Sequence, residues 1–194
     1  SWATAPQRED RTLSTEFLRD FEAHTPIGAT GRLRDRLVIG PALAFAHDTL
    51  EELDREPADT VVSEMLLMGS QIAAEVAGVR NVTLVPNIYP GDVAGCPPFG
   101  MGLRPRDDRL GQVRDGIVAA MSRQLWDKRL GDLNAVRARF GLSPVATVFS
   151  MIEAPHRVLV LTSAAFEHGG GARVPPHVRY CGPRLDDPRW VDAW

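Results

Sequence analysis

Residues 59–85 read DTVVSEMLLMGSQIAAEVAGVRNVTLV. The run Thr60-Val61-Val62 is β-rich and bounded, as a buried strand is. Ile72, Ala73 and Val76 then recur at helical spacing, and Ala77-Gly78 closes that helix. Val82-Thr83-Leu84-Val85 is a second buried strand. Strand–helix–strand predicts an α/β fold with a parallel sheet, and ligands of such sheets gather beyond the carboxyl ends of the strands. Ser63-Glu64-Met65 falls at one such end. Glu64 is therefore a candidate base, or a carboxylate that orients a neighbouring histidine. A glutamate at that place also serves as a helix cap.

Upstream, Thr12 to His24 is expected to form a helix, with Leu13, Phe17 and Phe21 on one stripe. Thr25-Pro26-Ile27-Gly28 is expected to end it. A helical region from about Thr30 to Arg55 breaks at Gly40-Pro41, where proline kinks or restarts a helix. Leu43, Ala46, Leu50 and Leu53 form its later apolar face. Downstream, Pro86 to Asp108 is a long Pro- and Gly-rich loop carrying Ile88, Tyr89, Phe99, Met101 and Leu103. Loop residues of that size either fold back onto the domain or wall a ligand cleft. Leu110, Val113, Ile117, Met121 and Leu125 predict an amphipathic helix. Leu130, Leu133, Val136 and Phe140 predict another, ended by Gly141 and Pro144. Val158-Leu159-Val160-Leu161 is an apolar strand. Thr162-Ser163 follows it, where hydroxyls cap turns more often than they bind ligands. A glycine turn at His168 to Gly171 precedes a last strand, Val178 to Cys181. The chain has no internal repeat.

Composition narrows the function classes. A chain of 194 residues holds one domain with a sizeable core. No apolar run approaches the roughly 20 residues that span a bilayer. The first 20 residues lack the apolar stretch of a signal peptide. A net charge of -3 gives no reason to expect nucleic acid or an anionic membrane as partner. The 22 basic residues include a single lysine, Lys128. This is the codon usage of a GC-rich genome, so arginine richness is no sign of phosphate binding. Cys96 and Cys181 stand far apart without metal-ligand spacing, and a reducing cytoplasm is the expected setting. HExxH, CxxC, GxSxG and P-loop patterns are absent, so no metal site is read. His156 and His168 have no partner at recognisable spacing and are expected to be exposed or hydrogen-bonded.

Three stretches carry a resemblance. DTVVSEMLLMGSQIAAEVAGVRNVTLV resembles a strand–helix–strand of the form D-x-V-V … A-A-E-x-x-G-V. The segment from CPPFGMGLRP through LNAVRARFGLSP is similar to a Pro/Gly-rich loop and helix pair ending L-N-x-x-R-x-x-x-G-L-x-P. HRVLVLTSAAFEH with VPPHVRYCGPRLDDPRW looks like a closing strand and an exit toward a second domain. Together these resemble the N-terminal, acceptor-binding half of GT-B-fold glycosyltransferases that modify macrolides and other actinobacterial natural products.

The resemblance implies a Rossmann-like sheet flanked by helices over residues 1–182, with 183–194 opening a linker to a donor-binding domain. It implies inverting transfer, without metal or cofactor, of a sugar from a nucleotide-diphosphate sugar to a hydroxyl of a hydrophobic small molecule. The family's base is a histidine after an opening strand, and neither is recognisable here. Both ends look like cuts, and the chain alone is expected to be inactive. Glu64 matches the family's dyad carboxylate, usually aspartate. Gly91-Asp92-Val93 echoes a family loop but follows the wrong strand. Topology with resemblance points to Met65, Leu66, Met68, Asn87, Ile88 and Tyr89 as acceptor contacts, with Phe99, Met101 and Trp126 closing the cleft. An unpaired sheet edge is expected to favour a homodimer. Two alternatives stay open at this stage: a non-catalytic binder of lipophilic ligands, and a different Rossmann-like enzyme without its cofactor loop.

Overall fold

The computed structural model describes residues 18–91, 93, 96–106, 108–166 and 174–183. The core is a four-stranded parallel sheet in the order β1 (Thr60–Glu64), β2 (Arg80–Val85), β3 (Arg157–Val160), β4 (Val178–Tyr180). Val62 pairs with Val82, Val82 with Arg157, and Val158 with Val178. The strand order follows chain order without reversal. Right-handed crossovers in that order would bring the helix between β1 and β2 and the helices between β2 and β3 to one face of the sheet.

Burial shows this asymmetry. Ser63, Thr83, Val85, Val158, Val160 and Val178 are buried on one face. On the other face Val62 is 57% exposed, and Val82, Leu84 and Leu159 are half-buried. The covered face carries α3 (Met68–Ala77), which packs on β1 and β2 and stacks against α2 (Ala42–Arg55). Α-helix α3 is short of polar residues and has a buried Met68-to-Ala74 run because it is sandwiched between sheet and helix. It stops at Gly78, whose φ of 66° suits glycine and closes the helix end. Gly69 serves a different purpose. A Cβ there would meet the Ala42 carbonyl oxygen at 2.1 Å, so only glycine lets α2 and α3 approach this closely.

Two apolar clusters result. Val38, Ile39, Ala46, Met68, Ile72, Leu133, Val148 and Met151 fill the helical layer. Met65, Val85, Tyr89, Val158, Val160 and Val178 fill the space at the sheet. The remaining helices are α1 (Pro26–Leu33), α4 (Arg109–Asp127), α5 (Leu130–Arg139) and α6 (Ser150–Glu153).

Several expectations need correction. Thr25–Gly28 begins a helix rather than ending one. The Thr25 hydroxyl accepts from the Gly28 amide at 3.1 Å and Pro26 takes the first helical position, where its missing N–H costs nothing. Of the expected Thr12–His24 helix, residues 12–17 lie outside the described set, and a single short turn, Asp20–Glu22, occupies the rest. The break at Gly40-Pro41 holds, but a π-helical turn, Arg34–Val38, precedes it. β1 continues through Ser63 and Glu64, because these pair with Thr83 and Leu84. The helix expected from Leu110 onward forms as α4, and on its stripe Leu110, Val113, Ile117 and Met121 are 56–72% exposed. The exit expected from residue 183 and the turn at 168–171 lie outside the described residues, apart from Pro183.

Candidate functional site

Glu64 is the last residue of β1, at the carboxyl end of a strand on the sheet's edge. Its Oε2 accepts from the Leu66 amide at 2.7 Å, so the carboxylate closes the turn into α3. Burial raises the carboxyl above the usual carboxylate range, and the Leu66 and Met65 amides oppose that shift. The folded state therefore holds this proton more tightly than the unfolded chain does. The stability it contributes is complete below the unfolded value and is lost as pH rises through the folded one. Glu64→Gln is expected to be at least as stable as the native chain at neutral pH, where the ionised carboxylate is disfavoured. Urea titrations at mildly acid and neutral pH check this; a variant weakened most at neutral pH would contradict it.

The turn beyond Glu64 is fixed from behind. Gln71, fully buried, donates from Nε2 to the Met65 carbonyl at 3.3 Å. Met65 and Tyr89 share one apolar cluster, with Leu66 packed against it. The turn after β1 thus borders the root of the long loop after β2. Gly91 lies against the Tyr89 ring so closely that a Cβ there would come within 2.5 Å of it.

The proposed acceptor residues divide by burial. Met65, Met68 and Tyr89 are buried, and Met68 at 1% exposure belongs to the helical core. Trp126 also packs on that core, edge-on to Phe149 at 6.1 Å between ring centroids. Leu66, Ile88 and Phe99 are half-buried. Asn87 and Met101 are exposed. At this end, Leu66 and the loop-root residues Asn87 and Ile88 are the ones of this set that reach solvent. An open hollow of about 420 Å³ lined by Asp59, Gly78, Val79 and Arg80 lies at the amino ends of β1 and β2. It is at the opposite end of the strands from Glu64 and has no part in this site.

Other candidates take structural roles. The Ser63 backbone continues β1, and the Ser163 hydroxyl accepts from the Ala165 amide at 3.2 Å, closing a turn. His156 Nδ1 accepts from the Asn81 amide at 3.3 Å. His168 and Asp92 lie outside the described residues. Among the described residues no group of three His, Cys, Asp or Glu side chains could hold a metal, and no helix is long and apolar enough to cross a membrane.

No protein-family model matches the chain. A curated protein, 4'-demethylrebeccamycin synthase of Lentzea aerocolonigenes, is 29% identical over 170 residues, covering 84% of this chain and 40% of the relative. A solved structure described as the glycotransferase of kitacinnamycin superposes with a TM-score of 0.58 at 13% identity, over 89% of this chain and 39% of that one. The chain is similar to glycosyltransferases. A further structure, the calicheamicin glycosyltransferase CalG4, has a TM-score of 0.49 at 16% identity over 88% of this chain. The chain spans about 40% of the length of the relatives it matches. The likeness to the solved fold agrees with the α/β reading of the motifs: a parallel sheet matched to a part of that glycotransferase.

The structure shows what the glycosyltransferase-like wording does in this chain. The Arg137 guanidinium donates to both Glu75 oxygens, at 2.8 and 3.0 Å. That contact ties the A-A-E stretch of α3 to the L-N-x-x-R stretch of α5. Asn134 donates from Nδ2 to the Val145 carbonyl and accepts from the Val145 amide, at 3.1 and 2.9 Å. Gly141 takes a φ of 74° just past α5. Leu133 is fully buried. These positions build the scaffold, and sequence reasoning assigned them no contacts. The spacing Asn134–Arg137, one helical turn, is the signal that both face one side.

Proposed function

We propose that this chain is part of a glycosyltransferase that moves a sugar from a nucleotide-diphosphate sugar to a hydroxyl of a hydrophobic small molecule. The observation that carries the reading is the convergence of the β1 and β2 ends. Glu64, half-buried Leu66 and the root of the long loop meet there, at the end of a parallel sheet where ligands bind. The curated relative, a rebeccamycin-type synthase, supports a natural-product acceptor.

In this reading the acceptor lies against Leu66, Asn87, Ile88, Phe99 and Met101. Met65, Met68, Tyr89 and Trp126 hold that wall from behind rather than touching the ligand. A thioether such as Met101 suits bulky lipophilic shapes. Glu64 acts through a base: it holds a histidine from elsewhere in the full-length protein in the orientation that accepts the hydroxyl proton. The hydroxyl oxygen bonds to the anomeric carbon as the bond to the diphosphate breaks, which inverts the anomeric centre. The diphosphate leaves toward the donor-binding part, and no metal is needed in the step. The 194-residue chain alone is inactive. Neither Cys96 nor Cys181 is in a disulfide among the described residues, which suits a reducing cytoplasm.

The test is Glu64→Ala in the full-length enzyme. Turnover should fall about tenfold to a hundredfold with KM little changed, as expected for loss of a group that orients a general base. Unchanged turnover would remove Glu64 from the mechanism.

A further inference from the structure

Gln71 is a buried amide on α3. Its Nε2 donates to the Met65 carbonyl at 3.3 Å, and its Oε1 has no protein partner among the described residues. An unpaired buried amide oxygen costs stability, so a methionine of similar length would serve packing at least as well. The bond that Gln71 does make is therefore the informative feature. The Met65 carbonyl belongs to the same peptide group as the Leu66 N–H, which donates to Glu64 Oε2 at 2.7 Å. A trans peptide is planar, with its C=O and N–H pointing in opposite directions. One rigid unit thus has Gln71 on its oxygen and Glu64 on its nitrogen. Rotating that plane away from either partner disturbs the bond to the other.

We propose that Gln71 is a positioning residue for Glu64, acting through the Met65–Leu66 peptide. The side-chain amide on the carbonyl oxygen holds the plane at the angle that aims the Leu66 N–H at the carboxylate. It also polarises the peptide, which makes that N–H the stronger donor. Helix α3 gives Gln71 a firm base, since every residue from Met68 to Ala74 is buried. Burial and the Leu66 and Met65 amides set the Glu64 carboxyl, and no charged side chain among the described residues takes part. The bearing of Glu64 on turnover rests on the reaction proposed above; its hold by Gln71 does not.

Gln71→Met keeps the length and nearly the volume of the side chain and removes the donor. In the 194-residue chain, carbon-13 NMR should show the Glu64 carboxyl titrating about half a pH unit higher, because the amide that favours its ionised form is less firmly held. The Leu66 amide proton should move upfield, as a weakened hydrogen bond requires. Thermal melting should stay within a few degrees of the native chain, since an unpaired oxygen leaves with the donor. Gln71→Leu repeats each measurement with a second apolar shape, so that poor folding of one variant does not decide the result.

In the full-length enzyme, Gln71→Met should lower kcat about threefold to tenfold with KM little changed, and should lower it no further where Glu64→Ala is already present. A folded variant whose Glu64 titration and Leu66 amide shift match those of the native chain would overturn the proposal. So would a further loss of kcat in the double variant. Glu64→Ala leaving turnover intact would sink the reaction reading instead, and the NMR titration would still decide the role of Gln71.

Discussion

Glu75→Ala is expected to lower the unfolding free energy by about 3 kcal/mol, and Arg137→Leu by only about 1–2 kcal/mol. The inequality follows from where the two charges sit. The Arg137 side chain is 5% exposed and that of Glu75 48%. Removing the glutamate strands a guanidinium inside the helical layer, with the Ser143 carbonyl at 2.8 Å and the Met151 sulfur at 3.5 Å as its remaining partners. Neither carries a compensating charge. Removing the arginine instead leaves a carboxylate that water can reach, and leucine fills part of the vacated volume. The Ser143 carbonyl then loses its donor, which accounts for most of the smaller cost. Urea denaturation of both variants measures the two values. Arg137→Leu proving the more damaging would mean that packing of the arginine stem outweighs the ion pair.

Gly69→Val should be at least as severe, at about 3 kcal/mol or more. A Cβ at this site lies 2.1 Å from the Ala42 carbonyl oxygen, 2.7 Å from Phe45 Cβ and 2.8 Å from the Ala46 amide nitrogen. Two of these three atoms belong to the backbone, so no rotamer change relieves the clash. Helices α2 and α3 must move apart, and their contact is the most extensive between any two elements among the described residues. The variant should lose thermal stability and also the tight packing of Met68 and Ile72. Thermal denaturation followed by near-UV circular dichroism measures both. A melting temperature within a few degrees of the native one would show that the helix pair has slack that the backbone geometry denies.

The parallel sheet was legible because its strands are short, β-branched and separated by a helix that ends at Gly78. Local chemistry suffices for that reading. The extent of β1 was not, since Ser63 and Glu64 join the strand only through pairing with Thr83 and Leu84, residues some twenty positions away. Thr25-Pro26 was ambiguous in another way: proline ends helices from inside but opens them from the first position, and the Thr25 cap decides between the two. For α4, periodicity reveals that an apolar stripe exists; what covers it is a tertiary matter, and the described residues leave it open to solvent. At the candidate site the position of Glu64 could be read from the strand, while its bond to the Leu66 amide could not. The burial of Met65, Met68 and Tyr89 was hidden for the same reason, because a methionine at a strand end reads alike whether it packs inward or lines a cleft. The wording that carried the resemblance turned out to be architectural: Glu75 and Arg137 join α3 to α5, Asn134 holds Val145, Leu133 is core and Gly141 closes α5.

The loop between Val85 and Asp108 is anchored at both margins. Tyr89 is packed into the sheet cluster at one end. At the other, the Asp108 carboxylate accepts from the Gly111 amide at 2.8 Å and sets the start of α4. None of the described residues between these anchors contributes to a helix or strand. The Glu75–Arg137 fastening and the α2–α3 contact are made entirely outside it. Three tethers tie the described part of this segment to the frame: Val93 packs on the sheet cluster, the Arg104 carbonyl accepts from Arg114 of α4, and Arg106 pairs with the Asp108 cap; substitutions at Phe99 or Met101, which make none of these contacts, should leave the joints of the chassis intact.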